Sequence, residues 1–191
     1  MRRVRRVVLE LPRLSTGSSG GAVRVLEARL RALRYALPRV DSLYGRHTYE
    51  AALAFQKVHR LATTGRVDAP LWRLLARAGT PRVPRGSHIE VDKTRQILFE
   101  VRRGRVVHVL HVSTGATGNT PVGRWRVYRK DPGLNVLGMY YSLYFLRGFA
   151  IHGYASVPPY PASHGCVRTS TWQAPAFYSR WGHGATIWVF A

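Results

Sequence analysis

The sequence predicts a two-domain α + β protein, in which a small three-helix domain is followed by a mainly β, sandwich-like domain. Apolar residues recur at helical spacing over residues 14–79, whereas from residue 89 onward they alternate with polar residues. Between these regions, residues 80–86 contain two prolines and a glycine, a composition typical of a connection. We therefore expect a helical domain over 14–79, a linker over 80–86 and a β domain over 87–191.

Three helices account for the first domain. Gly21 and Pro38 bracket one apolar stripe, formed by Val23, Leu26, Leu30, Leu33 and Leu37. A second helix is predicted to begin at Thr48, whose hydroxyl can cap free backbone N–H groups. The third is predicted to begin at Asp68 as its N-cap and to end near Gly79.

The second domain is predicted from alternation and turn residues. The predicted strands are Ile89–Asp92, Gln96–Val101, Val107–Val112, Arg124–Tyr128, Gly148–Ile151 and Thr186–Phe190. Arg103-Gly104 is a hairpin turn between two of them, and Trp172–Tyr178 is a candidate short helix. By itself this pattern is equally consistent with a sandwich and with an open barrel.

The charge is strongly basic, with 30 Lys and Arg against 9 Asp and Glu and a net charge of +21 among 191 residues. Such a surplus predicts attraction to a polyanion, for which nucleic acid, anionic lipid and anionic bacterial wall polymers are candidates. The arginines are spread over both domains without a basic strip interleaved with aromatics, so no specific nucleic-acid binding is predicted. A single cysteine excludes an internal disulfide and a multi-cysteine zinc cluster.

The N-terminus, Met1–Glu10, places arginines before the apolar run Val7–Leu9. This run is shorter than the roughly 7–15 apolar residues of an export signal. No segment reaches the about 18 apolar residues that a transmembrane helix needs. The sequence therefore shows neither a recognisable signal peptide nor a transmembrane segment.

The residues best suited to chemistry are the single cysteine, Cys166, and two nearby histidines, His152 and His164. A cysteine attacks as its thiolate, so it needs a base or a positive field, and imidazole can accept and return the proton. Gly165 allows a sharp, exposed turn immediately before the thiol. These residues are thus candidates for a nucleophilic cysteine with a histidine base, although spacing alone favours an inert core thiol.

Two other interpretations of the same residues stay open on spacing alone. Cys166, His152, His164 and His183 are possible zinc ligands, although the usual Cys-x-x-Cys and His-x-x-x-His pairs are absent. Alternatively, Cys166 is an inert, buried thiol and the histidines lie in surrounding loops. The prediction that we adopt has no metal and no cofactor.

Residues 87–191 resemble the catalytic domain of the L,D-transpeptidases of bacterial peptidoglycan. The resemblance rests on four elements in order: Ser113-Thr114-Gly115, Thr120-Pro121-Val122-Gly123, Ile151-His152-Gly153 and Ser163-His164-Gly165-Cys166. Residues 14–79 resemble the peptidoglycan-binding repeat found beside such enzymes. That match rests on Tyr44-Gly45, Thr48, Phe55-Gln56, Gly65 and Leu71-Trp72, in a segment unusually rich in arginine.

The resemblance implies a cysteine-dependent reaction without a cofactor. Cys166 would attack the carbonyl before the terminal D-Ala of a donor tetrapeptide, and the thioester would pass to a neighbouring stem as a 3→3 cross-link. His152 would be the general base, held in one tautomer by the carbonyl of Gly153. His164 would position or polarise the thiol, and the N–H groups of Gly165 and Cys166 would hold the oxyanion.

Four further residues are expected beside the substrate. Arg168 would pair with a stem carboxylate, Tyr140 and Tyr141 would line the groove, and Ser163 would shape the turn. The expected partner is peptidoglycan, with anionic wall polymers as a further candidate, and the expected location is the cell envelope outside the cytoplasm. The alternatives are a non-catalytic wall-binding protein and an L,D-carboxypeptidase-like hydrolase.

Overall fold

The computed structural model describes residues 11–191 and shows a helical region followed by a β-rich region. The basic N-terminal run and its short apolar segment lie outside the described residues. The helices are α1 (Gly21–Ala32), α2 (Arg46–Val58), α3 (Ala69–Arg77) and α4 (Ala174–Arg180). The strands are β1 (His88–Asp92), β2 (Ile97–Arg102), β3 (Arg105–His111), β4 (Gly123–Arg126), β5 (Arg129–Leu134), β6 (Tyr140–Leu146), β7 (Phe149–Tyr154), β8 (Val167–Ser170) and β9 (Thr186–Phe190).

The start of α3 is the one the sequence predicts, and the start of α2 differs. Asp68 caps α3, because its carboxylate accepts a hydrogen bond from the Leu71 N–H at 3.0 Å. Helix α2 begins two residues before Thr48, after Gly45 as N-cap. The Thr48 hydroxyl does not cap the helix but donates to the buried carboxylate of Glu27 at 2.6 Å, so its predicted capping role is wrong.

Helix α1 is shorter than its apolar stripe predicts. It ends at Ala32, and Arg34 adopts a left-handed conformation with φ of 74°. The chain then runs beside β3, where the Ala36 N–H donates to the Val109 carbonyl at 2.9 Å. Leu37 is buried as the stripe requires, but it reaches the core from this extended segment.

The β region is a sandwich of two sheets. One sheet has five strands in the order β3-β2-β1-β9-β4, and the other has four in the order β5-β6-β7-β8. Most neighbours are antiparallel, whereas β1 with β9 and β7 with β8 are parallel. Apolar side chains of both sheets, among them Val91, Leu143 and Ile151, form one core between them. The predicted sandwich is confirmed.

The helical region packs on the outer face of the five-stranded sheet. Side chains alternate along β2, so Leu98 points into the sandwich while Ile97 and Phe99 point toward the helices. Phe99 and Val109 share a hydrophobic cluster with Leu30 and Phe55 of α1 and α2. The segments on either side of residues 80–86 therefore share one core. Within residues 11–191, no helix is both long and apolar enough to cross a bilayer.

We expect Asp68→Ala to lower the free energy of unfolding by about 1 kcal/mol, because the Leu71 N–H loses its acceptor at the start of α3. Asp68→Asn is the matched control, since its side-chain oxygen can accept the same hydrogen bond. Urea denaturation of the three proteins checks this prediction. Equal stability of the Ala and Asn variants would show that the cap contributes nothing.

Candidate active site

A cavity of about 340 Å³ at the four-stranded sheet brings together most of the predicted site residues. Cys166, His152, His164, Ser163 and Arg168 line it. Its other lining residues are Leu137, Met139, Gly148 and Tyr154. A larger cleft of about 460 Å³, between the helical region and the sheet, contains none of the predicted residues. The chemistry of the side chains, not the size of the cavity, therefore locates the site.

The parallel pairing of β7 and β8 places the thiol and the imidazole on one face. His152 lies opposite Arg168 in this pair, and Cys166 directly precedes β8. Residues two apart on a strand point to the same face, and neighbouring strands lie about 4.8 Å apart. Cys166 and Arg168 therefore share a face with His152 across the strand pair, as their common cavity shows.

His152 is buried and held in a single tautomer. Its Nδ1 lies 2.9 Å from the carbonyl oxygen of Gly153, so Nδ1 carries the proton and donates it to that oxygen. This is the hydrogen bond that the resemblance implies, and it leaves Nε2 unprotonated. Burial lowers the pKa of His152 to about 4, an effect that the Gly153 bond opposes and the charge of Arg168 reinforces. The imidazole is thus a neutral acceptor at neutral pH.

Cys166 is partly buried, and its thiol lies 3.6 Å from the carbonyl oxygen of Gly148. Burial raises the pKa of Cys166, while the N–H of Ala150 and the charge of Arg168 act in the opposite direction. Both the thiol and His152 are therefore uncharged at neutral pH. The cavity therefore holds a neutral thiol and a neutral imidazole, not a preformed ion pair.

The turn before the thiol requires glycine at one position. Gly165 has φ of +135°, and a Cβ there would lie 2.5 Å from a ring atom of Phe149. The Ser163 hydroxyl donates to the Cys166 carbonyl at 2.6 Å and accepts from the Gly165 N–H at 3.0 Å. Ser163 therefore closes the turn that presents the thiol.

This bond also changes the expected oxyanion site. Because the Gly165 N–H already donates to Ser163, it is not free to bind an oxyanion, and that expectation for Gly165 is corrected. Gly165 instead contributes through its conformation. No hydrogen bond of the Cys166 N–H is found within residues 11–191, so this donor remains available.

A second loop braces the turn from the other side. The Thr120 hydroxyl donates to the Gly165 carbonyl at 2.7 Å and accepts from the Gly115 N–H at 2.9 Å. The Asn119 side chain donates to the His164 carbonyl at 2.8 Å. These contacts explain why the Ser-Thr-Gly and Thr-Pro elements accompany the cysteine motif. The His164 side chain is exposed and lies at the rim of the cavity.

Arg168 and an unpredicted tyrosine form the cationic side of the cavity. The guanidinium of Arg168 stacks on the ring of Tyr154 at 4.1 Å from its centre. Tyr154 lies two residues after His152, so the strand period could have placed it on the same face. The hairpin residues Leu137 and Met139, which also line the cavity, carry no such signal in the sequence.

Tyr140 and Tyr141 pack against each other in β6, and the expectation that they line the substrate groove stays a prediction. Their rings contact each other at 4.7 Å, and Tyr141 also contacts Tyr178 of α4 at 5.1 Å. The pairing of β6 with β7 is irregular after Tyr140, and Tyr141 has a positive φ of 52°. Both features turn the two tyrosines away from the regular strand pattern. Neither tyrosine lines the cavity that contains Cys166.

Metal ligation was the other interpretation of the histidines. Among the residues that the structure describes, no group of three or more His, Cys, Asp or Glu side chains is arranged to hold a metal ion. His183 does not line the cavity of Cys166. The donor set around the thiol consists of His152 and His164, with the cation Arg168 beside them.

Comparisons with known proteins identify the families that the two regions match. The family model of the L,D-transpeptidase catalytic domain matches residues 86–189, and that of a putative peptidoglycan binding domain matches residues 19–75. The L,D-transpeptidase of Xylanimonas cellulosilytica is 34% identical, with a TM-score of 0.86, over 95% of this chain and 98% of that one.

More distant structures share the fold. The L,D-transpeptidase of Stackebrandtia nassauensis is 23% identical, with a TM-score of 0.54, over 95% of this chain and 96% of that one. The L,D-transpeptidase of Mycobacterium smegmatis is 19% identical, with a TM-score of 0.50, over 59% of this chain and 61% of that one. No match was found among curated proteins.

We expect iodoacetamide to alkylate Cys166 at a rate that rises about tenfold per pH unit from pH 6 to pH 8.5, because only the thiolate reacts. Burial raises the pKa of the thiol, so no plateau should appear in this range. Mass spectrometry gives the rate directly, since the chain has one cysteine. A plateau near neutral pH would instead show a preformed thiolate.

We expect Gly165→Ala to slow acylation of Cys166 by a carbapenem by about tenfold or more, because the added Cβ displaces Phe149 and the turn with it. Gly118→Ala is the matched control. Gly118 also has a positive φ, of 73°, but has open space around it. Equal rates in the two variants would contradict a specific requirement at Gly165.

Proposed function

The chain belongs to the L,D-transpeptidase family, and from that premise we propose that Cys166 is the nucleophile that forms 3→3 cross-links in bacterial peptidoglycan. One observation carries the proposal: Cys166 and His152 share one cavity across the β7–β8 pair, with His152 Nδ1 bonded to the Gly153 carbonyl. The only thiol of the chain thus faces a base whose proton-free nitrogen is defined.

The first half-reaction consumes the donor stem. Cys166 Sγ attacks the carbonyl carbon between the third residue and the terminal D-Ala, while its proton moves to His152 Nε2. The C–N bond then breaks, His152 returns the proton to the leaving amine, and D-Ala departs. A thioester remains on Cys166. Because both groups are neutral at rest, proton transfer accompanies the attack.

The second half-reaction forms the cross-link. The side-chain amine of the third residue of a neighbouring stem attacks the thioester carbon and gives a proton to His152. The C–S bond breaks, and the sulfur recovers the proton as a thiol. Water in place of the amine would give hydrolysis, the carboxypeptidase-like alternative.

Three groups assist these steps in the proposal. The free N–H of Cys166 stabilises the oxyanion of each tetrahedral intermediate, a type of contact that contributes about 3–4 kcal/mol in acyl transfer. Arg168, held by Tyr154, binds a stem carboxylate. His164, at the rim, positions the thiol and the substrate and leaves the proton transfer to His152.

The partner and the location follow from the same family assignment. The catalytic and the peptidoglycan-binding regions both act on peptidoglycan, and this points to the cell envelope outside the cytoplasm. We propose that the helical domain binds the glycan and that the surplus of arginine adds a salt-sensitive attraction to anionic wall polymers. No metal or cofactor enters the reaction as proposed.

We expect Cys166→Ala to abolish both D-Ala release and 3→3 dimers, because no thioester can form. We expect His152→Gln to lower the rate about 10²–10⁴-fold, the usual contribution of a general base. Mass spectrometry of muropeptides, after incubation with tetrapeptide-bearing peptidoglycan, measures both. Binding of either variant to purified sacculi should equal that of the wild type.

Three results would contradict the proposal. Turnover by Cys166→Ala would exclude the thiol as nucleophile. A wild-type protein that binds sacculi, yet gives neither cross-links nor a carbapenem adduct on Cys166, would be the non-catalytic wall-binding protein. Tripeptide products without dimers would identify the hydrolase instead.

A further inference from the structure

A buried lysine joins the helical region to the β region, and the reaction proposed above does not use it. Lys57 of α2 is only 6% exposed. Its ammonium lies 2.8 Å from His111 Nδ1, 3.2 Å from the Gln96 carbonyl and 3.5 Å from the Val112 carbonyl. Three acceptors thus surround the Lys57 nitrogen, whose pKa burial lowers to about 7, and all of them belong to the five-stranded sheet or its connections.

Lys57 determines which nitrogen of His111 carries the proton. Because Nδ1 accepts from Lys57, the proton of the imidazole lies on Nε2, which donates to the Val157 carbonyl at 2.9 Å. Burial lowers the pKa of His111 to about 3, helped by the nearby Lys57. The ring is therefore neutral and acts as a fixed donor–acceptor bridge.

The bridge ends in the segment that carries the thiol. Val157 lies in the connection 155–166 between β7 and β8, which ends at Cys166. Two more residues of α2 reach the same region: Arg46 donates to the Ala155 carbonyl at 3.3 Å, and the Glu50 carboxylate accepts from the Trp172 indole at 2.8 Å. One helix of the helical region thus contacts the chain on both sides of the cysteine motif.

Resting on the proposed function, we propose that Lys57 is a positioning residue for the reaction, which acts through His111 to hold the connection 155–166 and hence the thiol turn. Under this proposal, the helical region is a structural part of the catalytic unit as well as a binding domain. Lys57 touches neither the substrate nor Cys166.

If Lys57 only filled space in the core, an apolar side chain would do so at a lower free-energy cost. Burying an ammonium costs free energy that only well-placed acceptors offset. The chain contains just three lysines among its 30 basic residues. Arginine, with its planar fork, suits a compact three-acceptor site less well than lysine does. The polar contacts to one segment, not the volume filled, distinguish this position.

The test replaces Lys57 in the full chain with Met, which has similar length and no donor. With a soluble tetrapeptide donor, we expect kcat to fall about tenfold to a hundredfold, because the thiol turn loses its support. KM should change by less than about twofold, since the cavity residues remain. Hydrogen exchange of residues 155–165 should accelerate in the same variant.

Arg29→Met is the matched control. Arg29 also uses its cation to bind backbone carbonyls, those of Leu75 at 3.0 Å and Ala78 at 2.7 Å, but within the helical region alone. We expect it to lower the thermal midpoint of unfolding without changing kcat. Lys57→Gln, which retains two N–H donors, should recover part of the lost kcat, and it is the variant to use if Lys57→Met does not fold.

The outcomes separate the two proposals. If the Lys57 variant matches Arg29→Met in kcat and in exchange of residues 155–165, Lys57 is only structural and this inference is overturned. If the wild-type protein transfers no stem peptide, the proposed function fails. In that case exchange at 155–165 still decides whether Lys57 holds the connection 155–166, because exchange does not depend on turnover.

Discussion

The parallel pairing of β7 and β8 is the constraint on which the site depends. Parallel neighbours cannot be joined by a tight hairpin, so the chain must cross from the end of β7 to the start of β8. Here the connection 155–166 makes that crossing without a helix, and regular backbone bonds do not support it. It is held instead by single contacts, such as the Ser113 hydroxyl on the Tyr160 carbonyl at 2.7 Å and the Ala162 N–H on the Thr114 carbonyl at 2.9 Å. Many local hydrogen bonds together therefore fix the position of Cys166.

The large positive charge of the chain is accompanied by the burial of most of its few acidic side chains. Five of the nine acidic residues are buried: Glu27, Glu50, Glu90, Asp92 and Glu100. Although burial alone would raise the pKa of Glu100, two hydrogen bonds from Arg180 and the nearby His108 imidazole outweigh it and hold that pKa below its usual value. With these five acids buried, the charged side chains on the surface of residues 11–191 are mostly basic. Screening limits its reach to about 8 Å at physiological salt, so this field attracts polyanions without selecting among them.

The sequence predicted those elements that depend on residues close together along the chain. The Asp68 cap, the β strands around Arg103-Gly104 and the nearness of His152 to Cys166 follow from residues close in sequence. The apolar stripe that continues to Leu37 predicted that α1 ends later than it does. The left-handed conformation of Arg34 ends the helix, and the chain then pairs with the edge of β3. Strand β5 contains Pro132-Gly133 and no alternation, so nothing local marks it. The availability of the Gly165 N–H depends on the rotamer of Ser163, which no spacing encodes.

The shared core changes what the helical region can contribute. A flexible tether would raise the local concentration of wall substrate around the thiol, yet would leave its direction free. Here α2 packs on β2 and β3, and Phe55 shares a cluster with Phe99 and Val109. This shared hydrophobic cluster thereby fixes the orientation of the helical region relative to Cys166. Under the proposed function, a glycan strand bound by that region would therefore reach the thiol from a fixed side, which a flexible tether would not impose.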